Sequence, residues 1–133
     1  MSAERVVYLD SSALMKLVID EAESAALRTW LRRRRPMVSS TLAKVELNRA
    51  LLPAGPAALD RGAVVLKRTS LIRITNGVLD DAATLPGVGL RSLDAIHLAT
   101  ARQFADELNR VVTYDERMRA AAEALGLPVV APS

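Results

Sequence analysis

The chain has 133 residues, 50% hydrophobic and 25% charged, which fits one domain folded around a core and excludes a disordered chain. It has no cysteine and a single histidine, which excludes a disulfide framework, thiol chemistry and a structural zinc site. Aromatic residues are limited to Tyr8, Trp30, Phe104 and Tyr114, which argues against base stacking as a binding mode, while the arginine-rich net charge of +3 permits a nucleic-acid partner without demanding one.

Glu4 and Arg5 precede only four apolar residues before Asp10, too few for a signal peptide. No apolar run reaches the ~20 residues that a bilayer span needs, so the expectation is a soluble cytoplasmic protein. Val6-Val7-Tyr8-Leu9 reads as a buried first strand that stops at Asp10, and residues 11–19 as a helix with Ala13, Leu14, Leu17 and Val18 inward. Residues 21–34 read as a second helix with Ala25, Ala26, Trp30 and Leu31 on its apolar side, closed by Arg32 to Arg35 and stopped by Pro36. The four arginines serve equally as a solvated helix end or as phosphate contacts.

Residues 37–40 are expected as the second strand, and Ser40 or Thr41 as the cap of a helix that runs to Leu52 and ends at Pro53. A further helix spans 56–67, a third strand 71–74 and a short helix 78–85, followed by a loop at Pro86 to Gly89. Ser92 is expected to cap a long helix over 93–108, apolar almost all round. Residues 111–113 form a fourth strand, 116–125 a helix closed by Gly126, and 127–131 a last short strand. The alternation of strands and helices predicts an α/β fold, with a central parallel sheet of four to five strands covered by helices on both faces, in a single domain over 1–133.

In such a sheet the functional site lies beyond the carboxyl ends of the strands. Asp10 follows the first strand, Asp115 the fourth, and Asp94 sits in the first turn of its helix. Each also reads as a helix cap or a macrodipole partner. Glu46 has no such role: it lies mid-helix on the stripe Ala43, Glu46, Leu47, Ala50, where a carboxylate needs a cation or a metal, and Arg49 is one possible partner. Acids gathered at one sheet edge repel, and a hard divalent cation such as Mg²⁺ resolves the repulsion. His97, one turn after Asp94, reads as a packed, hydrogen-bonded core histidine, and Glu116 as a first-turn helix stabiliser. Lys16, Arg91 and Arg117 lie nearest the proposed cleft in sequence and are the candidates for phosphate contacts.

Four blocks carry a resemblance to a known family: Leu9-Asp10-Ser11-Ser12-Ala13-Leu14-Met15-Lys16-Leu17, Ser40-Thr41-Leu42-Ala43-Lys44-Val45-Glu46-Leu47, Leu93-Asp94-Ala95-Ile96-His97-Leu98-Ala99-Thr100-Ala101 and Val112-Thr113-Tyr114-Asp115-Glu116-Arg117-Met118. Together, and in this order, they resemble PIN domains, and within them the VapC-type ribonuclease toxins of bacterial toxin–antitoxin pairs. The resemblance implies a PIN-like three-layer α/β/α fold and a metal-dependent endoribonuclease. It implies that Asp10, Glu46, Asp94 and Asp115 hold one or two Mg²⁺ or Mn²⁺ ions, with the Ser12 and Thr113 hydroxyls near the metal. Cleavage would leave a 5′-phosphate and a 3′-hydroxyl. The resemblance also implies a homodimer and a cognate VapB-type antitoxin that blocks the site.

Other classes fit less well. A haloacid-dehalogenase-like phosphatase needs a second Asp two residues after the first, where Ser12 stands. A receiver domain needs an acid pair before its phosphorylated Asp and a lysine after a late strand, and neither is evident. The competing reading is a non-catalytic PIN-like module that binds RNA or a protein and uses its acids structurally.

Overall fold

A computed structural model describes residues 5–133; Glu4, used above in weighing the N-terminal segment, lies outside them. The strands are β1 (Val6–Leu9), β2 (Met37–Ser40), β3 (Ser70–Ile72), β4 (Leu108–Val112) and β5 (Val129–Val130). They form one five-stranded sheet in the order β3-β2-β1-β4-β5, and every pairing is parallel. β1 is the central strand, in register with β2 at Tyr8↔Val38 and with β4 at Leu9↔Val112. All four of its residues are buried, as a parallel strand covered on both faces requires.

The helices are α1 (Ser11–Val18), α2 (Ser24–Leu31), α3 (Leu42–Leu51), α4 (Pro56–Lys67), α5 (Asn76–Ala83), α6 (Ser92–Arg102) and α7 (Glu116–Ala124). The period of two along β1 divides them into layers. Val7 and Leu9 face one cluster, with Leu14 of α1, Leu27 of α2, Leu47 and Leu51 of α3 and Ala58 of α4. Val6 and Tyr8 face the other side, with Val38, Val111 and Ala101 of α6. Leu98 of α6 then packs on Met118, Ala121 and Ala122 of α7. The result is the expected three-layer α/β/α fold. The strand order reverses between β1 and β4, which makes their carboxyl ends the topological switch point where α/β proteins place ligands. No helix among the described residues is long and apolar enough to cross a membrane.

Several boundaries differ from those expected. The helix expected over 93–108 ends at Arg102; a 3₁₀ turn at Ala105–Glu107 follows, and Leu108 opens β4 instead. Phe104 and Leu108 supplied the helical spacing, yet both pack at the edge of the sheet core beside Val6 and Val111. Ser92 is the first helical residue rather than the cap; Arg91 holds the cap position and makes no side-chain cap bond. α2 is shorter than 21–34, because the Ser24 hydroxyl accepts from the Glu21 N–H and donates to the Ile19 carbonyl, setting the start. At its other end the Arg34 guanidinium donates to the Trp30 carbonyl and stacks over the Trp30 ring. Its buried face is Ser24, Leu27 and Leu31, and Ala25 is exposed. Ser40, not Thr41, serves the start of α3: its Oγ accepts from the Leu42 N–H. β3 is 70–72 rather than 71–74, and α5 starts at Asn76 because the Thr75 hydroxyl caps it through the Val78 N–H.

Candidate active site

Asp10 leaves the end of β1 and is only 2% exposed. Its Oδ1 caps α1 by accepting from the Ala13 N–H at 3.0 Å, and accepts from the Ser12 hydroxyl at 2.6 Å. Its Oδ2 accepts from the Thr113 hydroxyl at 2.5 Å. Each hydroxyl also receives a backbone donor: Tyr114 N–H gives to Ser12 Oγ at 3.0 Å and Asp115 N–H gives to Thr113 Oγ1 at 3.1 Å. Asp10, Ser12 and Thr113 therefore tie the turn after β1 to the turn after β4. Burial pushes the Asp10 carboxyl above its ordinary value, and the donors from Ser12, Thr113 and Ala13 work against that rise. Capping and site chemistry coexist in this residue.

An open cleft of about 500 Å³ is lined by Glu46, Asp94, Asp115, Glu116, Leu93, Arg91 and Arg117; Asp10 is not part of that lining but stands near enough to Asp94 to raise its carboxyl. Asp94 enters the cleft from the first turn of α6, half-buried. Its carboxyl is raised above the ordinary range by burial and then by the neighbouring charge of Asp115. Asp115 is exposed and caps α7, its Oδ1 accepting from the Arg117 and Met118 N–H groups. Glu46 reaches the cleft from α3, the opposite layer. It does not pair with Arg49. Its Oε1 lies 2.6 Å from Nε2 of His97, which is 1% exposed, and the other ring nitrogen lies 2.7 Å from the Tyr8 hydroxyl. Ala50, expected on the same stripe, is exposed.

The structure thus gathers Glu46, Asp94 and Asp115 in one cleft that Arg91 and Arg117 also line, and places Asp10, held by Ser12 and Thr113, next to Asp94 at the switch point. Lys16 is placed elsewhere. Its ammonium bonds Glu23 at 2.8 Å and Glu21 at 3.5 Å and sits 5.2 Å from the Tyr114 ring centroid, so it anchors α2 to α1 and does not line the cleft. Of the arginines after α2, Arg32 and Arg35 line a separate groove with Arg28 and Arg68, and none of the four lines the acidic cleft. Tyr8 was read as one more apolar strand residue. Its part in holding His97 had no signature in the sequence, because the contact spans 89 positions.

The fit to a divalent ion rests on the donor set. Oδ1 of Asp10 already takes two donors and Oδ2 one, which leaves Oδ2 a lone pair. Among the described residues no three His, Cys, Asp or Glu side chains stand arranged to hold one ion between them. A closed cage of four carboxylates is therefore not preformed: Asp10 is held by two hydroxyls and the Ala13 N–H, Asp115 caps α7 and Glu46 turns to His97. Mg²⁺ does not require such a cage. It keeps several waters and takes one or two carboxylates directly, and an all-oxygen set around an open cleft suits it.

Residues 7–124 match the PIN domain family. The chain is 52% identical over 127 residues to Ribonuclease VapC46 of Mycobacterium tuberculosis, covering 96% of this chain and 98% of that one. It is 45% identical over 131 residues to Ribonuclease VapC35 of the same species, covering 96% and 97%. Its fold is similar to that of a toxin–antitoxin complex from Klebsiella pneumoniae, with a TM-score of 0.72 at 22% identity, covering 96% of this chain and 98% of that chain. With the family model matched over residues 7–124 and near full-length likeness to named members, the chain belongs to the PIN-domain family and, within it, to the VapC ribonucleases.

Proposed function

We propose that this protein is an endoribonuclease toxin that hydrolyses RNA phosphodiesters in the cleft beside Asp10, with Mg²⁺ or Mn²⁺ as cofactor, and that a VapB-type antitoxin neutralises it. One observation carries the reading: Asp10, a buried carboxylate just past the central strand with one lone pair left, stands near enough to Asp94 to raise its carboxyl, and Asp94 lines a cleft together with Glu46, Asp115, Glu116, Arg91 and Arg117. Asp10, Asp94, Asp115 and Glu46 would hold the ion, partly through water. When bound, the ion supplies a Lewis acid for the phosphate and lowers the pKa of attacking water.

The protein's own residues do the rest. Ser12 and Thr113 fix both oxygens of Asp10, so its orientation is set before any ligand arrives. The Asp115 cap fixes one of its oxygens against α7. Arg91 and Arg117, which line the cleft, neutralise phosphates on either side of the scissile bond. None of the lining residues is aromatic, so the cleft grips backbone and leaves the choice of sequence to the shape of the RNA. Water attack and departure of the 3′-oxygen would leave a 5′-phosphate and a 3′-hydroxyl. The protein would pair with a second copy of itself; its complex with an antitoxin is in keeping with the toxin–antitoxin complex of similar fold.

The test is cleavage of structured RNA by purified protein with Mg²⁺ or EDTA, using wild type, Asp10→Asn and Asp94→Asn. Cleavage should require the ion and disappear in both variants. RNA binding without cleavage in the wild type would favour the non-catalytic module. Undiminished cleavage by both variants would overturn the site.

A further inference from the structure

The geometry points to His97 as a positioning residue for Glu46, itself held by Tyr8, so that two hydrogen bonds running out from the central strand aim one carboxylate into the cleft. This rests on the metal reading above for the use made of Glu46, and on the contacts alone for how Glu46 is held.

Unlike Asp10 and Asp115, Glu46 has no backbone donor among the described residues. Asp10 and Asp115 cap helices and are oriented by N–H groups. Glu46 lies mid-helix with a side chain 21% exposed, and its own helix offers it no ion pair among the described residues. A long carboxylate in that position would sample several rotamers. His97 removes the freedom. Its ring comes from α6, on the other face of the sheet, and meets Glu46 over the sheet edge at 2.6 Å. An ionised carboxylate only accepts, so the ring nitrogen facing it, Nε2, carries the proton. Nδ1 meets the Tyr8 hydroxyl at 2.7 Å, and the two rings stand edge-on at 75° with centroids 5.8 Å apart. Tyr8 is fully buried on β1, two residues before Asp10. Both ring nitrogens are satisfied, and the ring is fixed in direction and tautomer, as a supporting group must be. Only Oε1 of Glu46 is used, and Oε2 has no protein donor among the described residues. The strand that carries Asp10 thereby also aims Glu46.

The experiment measures Mn²⁺ affinity of metal-free protein by titration calorimetry and by electron paramagnetic resonance, beside melting in EDTA. His97→Asn cannot reach Glu46, whereas His97→Gln presents an amide N–H near the position of Nε2. Mn²⁺ binding should weaken 10- to 100-fold in His97→Asn and recover most of the loss in His97→Gln. The two variants should melt within a few degrees of each other, which a purely structural role would not predict alongside different affinities. Tyr8→Phe, which deletes only the hydroxyl, should fall between wild type and His97→Asn. In a Glu46→Gln background His97→Asn should change Mn²⁺ affinity no further, because it acts through Glu46. Wild-type affinity in His97→Asn and Tyr8→Phe, or no recovery in His97→Gln, overturns the positioning role. A wild-type protein that binds no Mn²⁺ overturns the metal reading, and with it the use made of Glu46.

Discussion

Replacing Asp10 separates its two duties. Asp10→Ala removes the acceptor for the Ala13 N–H and for the buried Thr113 hydroxyl. Losing a cap costs about 1 kcal/mol, and a buried donor left without a partner costs about 1–3 kcal/mol, so Asp10→Ala should lose about 3 kcal/mol. For a chain of 133 residues that lowers Tm by about 10 °C, from the usual unfolding entropy of about 2.1 cal/mol/K per residue. Asp10→Asn keeps the shape and the cap acceptor and removes a charge that burial disfavours. In EDTA it should melt at or above the wild-type temperature. With Mg²⁺ at about a hundred times its Kd, the wild type should gain about 2.7 kcal/mol, again close to 10 °C, and Asp10→Asn should gain almost nothing. Thermal melts followed by circular dichroism, with and without EDTA, read all three quantities. If Asp10→Asn melts far below wild type in EDTA, the carboxylate charge holds the fold and Asp10 is not kept for a cation.

Thr113→Val deletes a donor to Asp10 and an acceptor for the Asp115 N–H; Mn²⁺ affinity should fall 10- to 100-fold, and calorimetry showing no change would remove Thr113 from the site. Arg91→Ala and Arg117→Ala should each weaken RNA binding across sequences and reduce the salt slope of log K by about 1, measured by filter binding in Ca²⁺ or EDTA to suppress cleavage; unchanged slopes would place the RNA elsewhere. Asp10 and Asp94 titrate above the ordinary 3.8 in the metal-free fold, so the stability they contribute is full below that value and is lost as pH rises through their raised folded values. The Tm advantage of Asp10→Asn in EDTA should therefore grow as pH rises above 3.8, and a pH-independent difference would contradict the burial argument. A Cβ on Gly62 would stand 2.5 Å from Leu51 Cδ1, where α4 crosses α3; Gly62→Ala should lose about 1–2 kcal/mol, overpacking outweighing the gain in helix propensity, and a raised Tm would show that Leu51 yields freely.

Local rules carried most of the fold. β1, β2 and α4 have the expected bounds, because a buried apolar run, a Pro36 stop and a Pro56 start are written in neighbouring residues. The misplaced end of α6 has the opposite character. Phe104 and Leu108 keep helical spacing in the sequence, and only pairing of Val6 with Leu108 turns that segment into a strand. The acids were legible because each lies at a strand end, a helix start or an otherwise unexplained apolar face. What holds them was not. Thr113 reaches Asp10 across 103 positions and His97 reaches Glu46 across 51. Lys16 looked free for RNA because its partners Glu21 and Glu23 stand beyond the end of its own helix, on the approach to α2.

The strand order β3-β2-β1-β4-β5 places the first-made strand between one made early and one made late. During synthesis β1, β2 and β3 can associate while the chain beyond Ile72 is still inside the ribosome, and at that stage Asp10 has neither Thr113 beside it nor Asp94 and Asp115 nearby. The site closes only when β4 slots against the open side of β1, after more than three-quarters of the chain has emerged. A chain cut before Leu108 lacks β4 and β5 and, with them, both the Thr113 hydroxyl that holds Asp10 and the Asp115 carboxylate of the cleft.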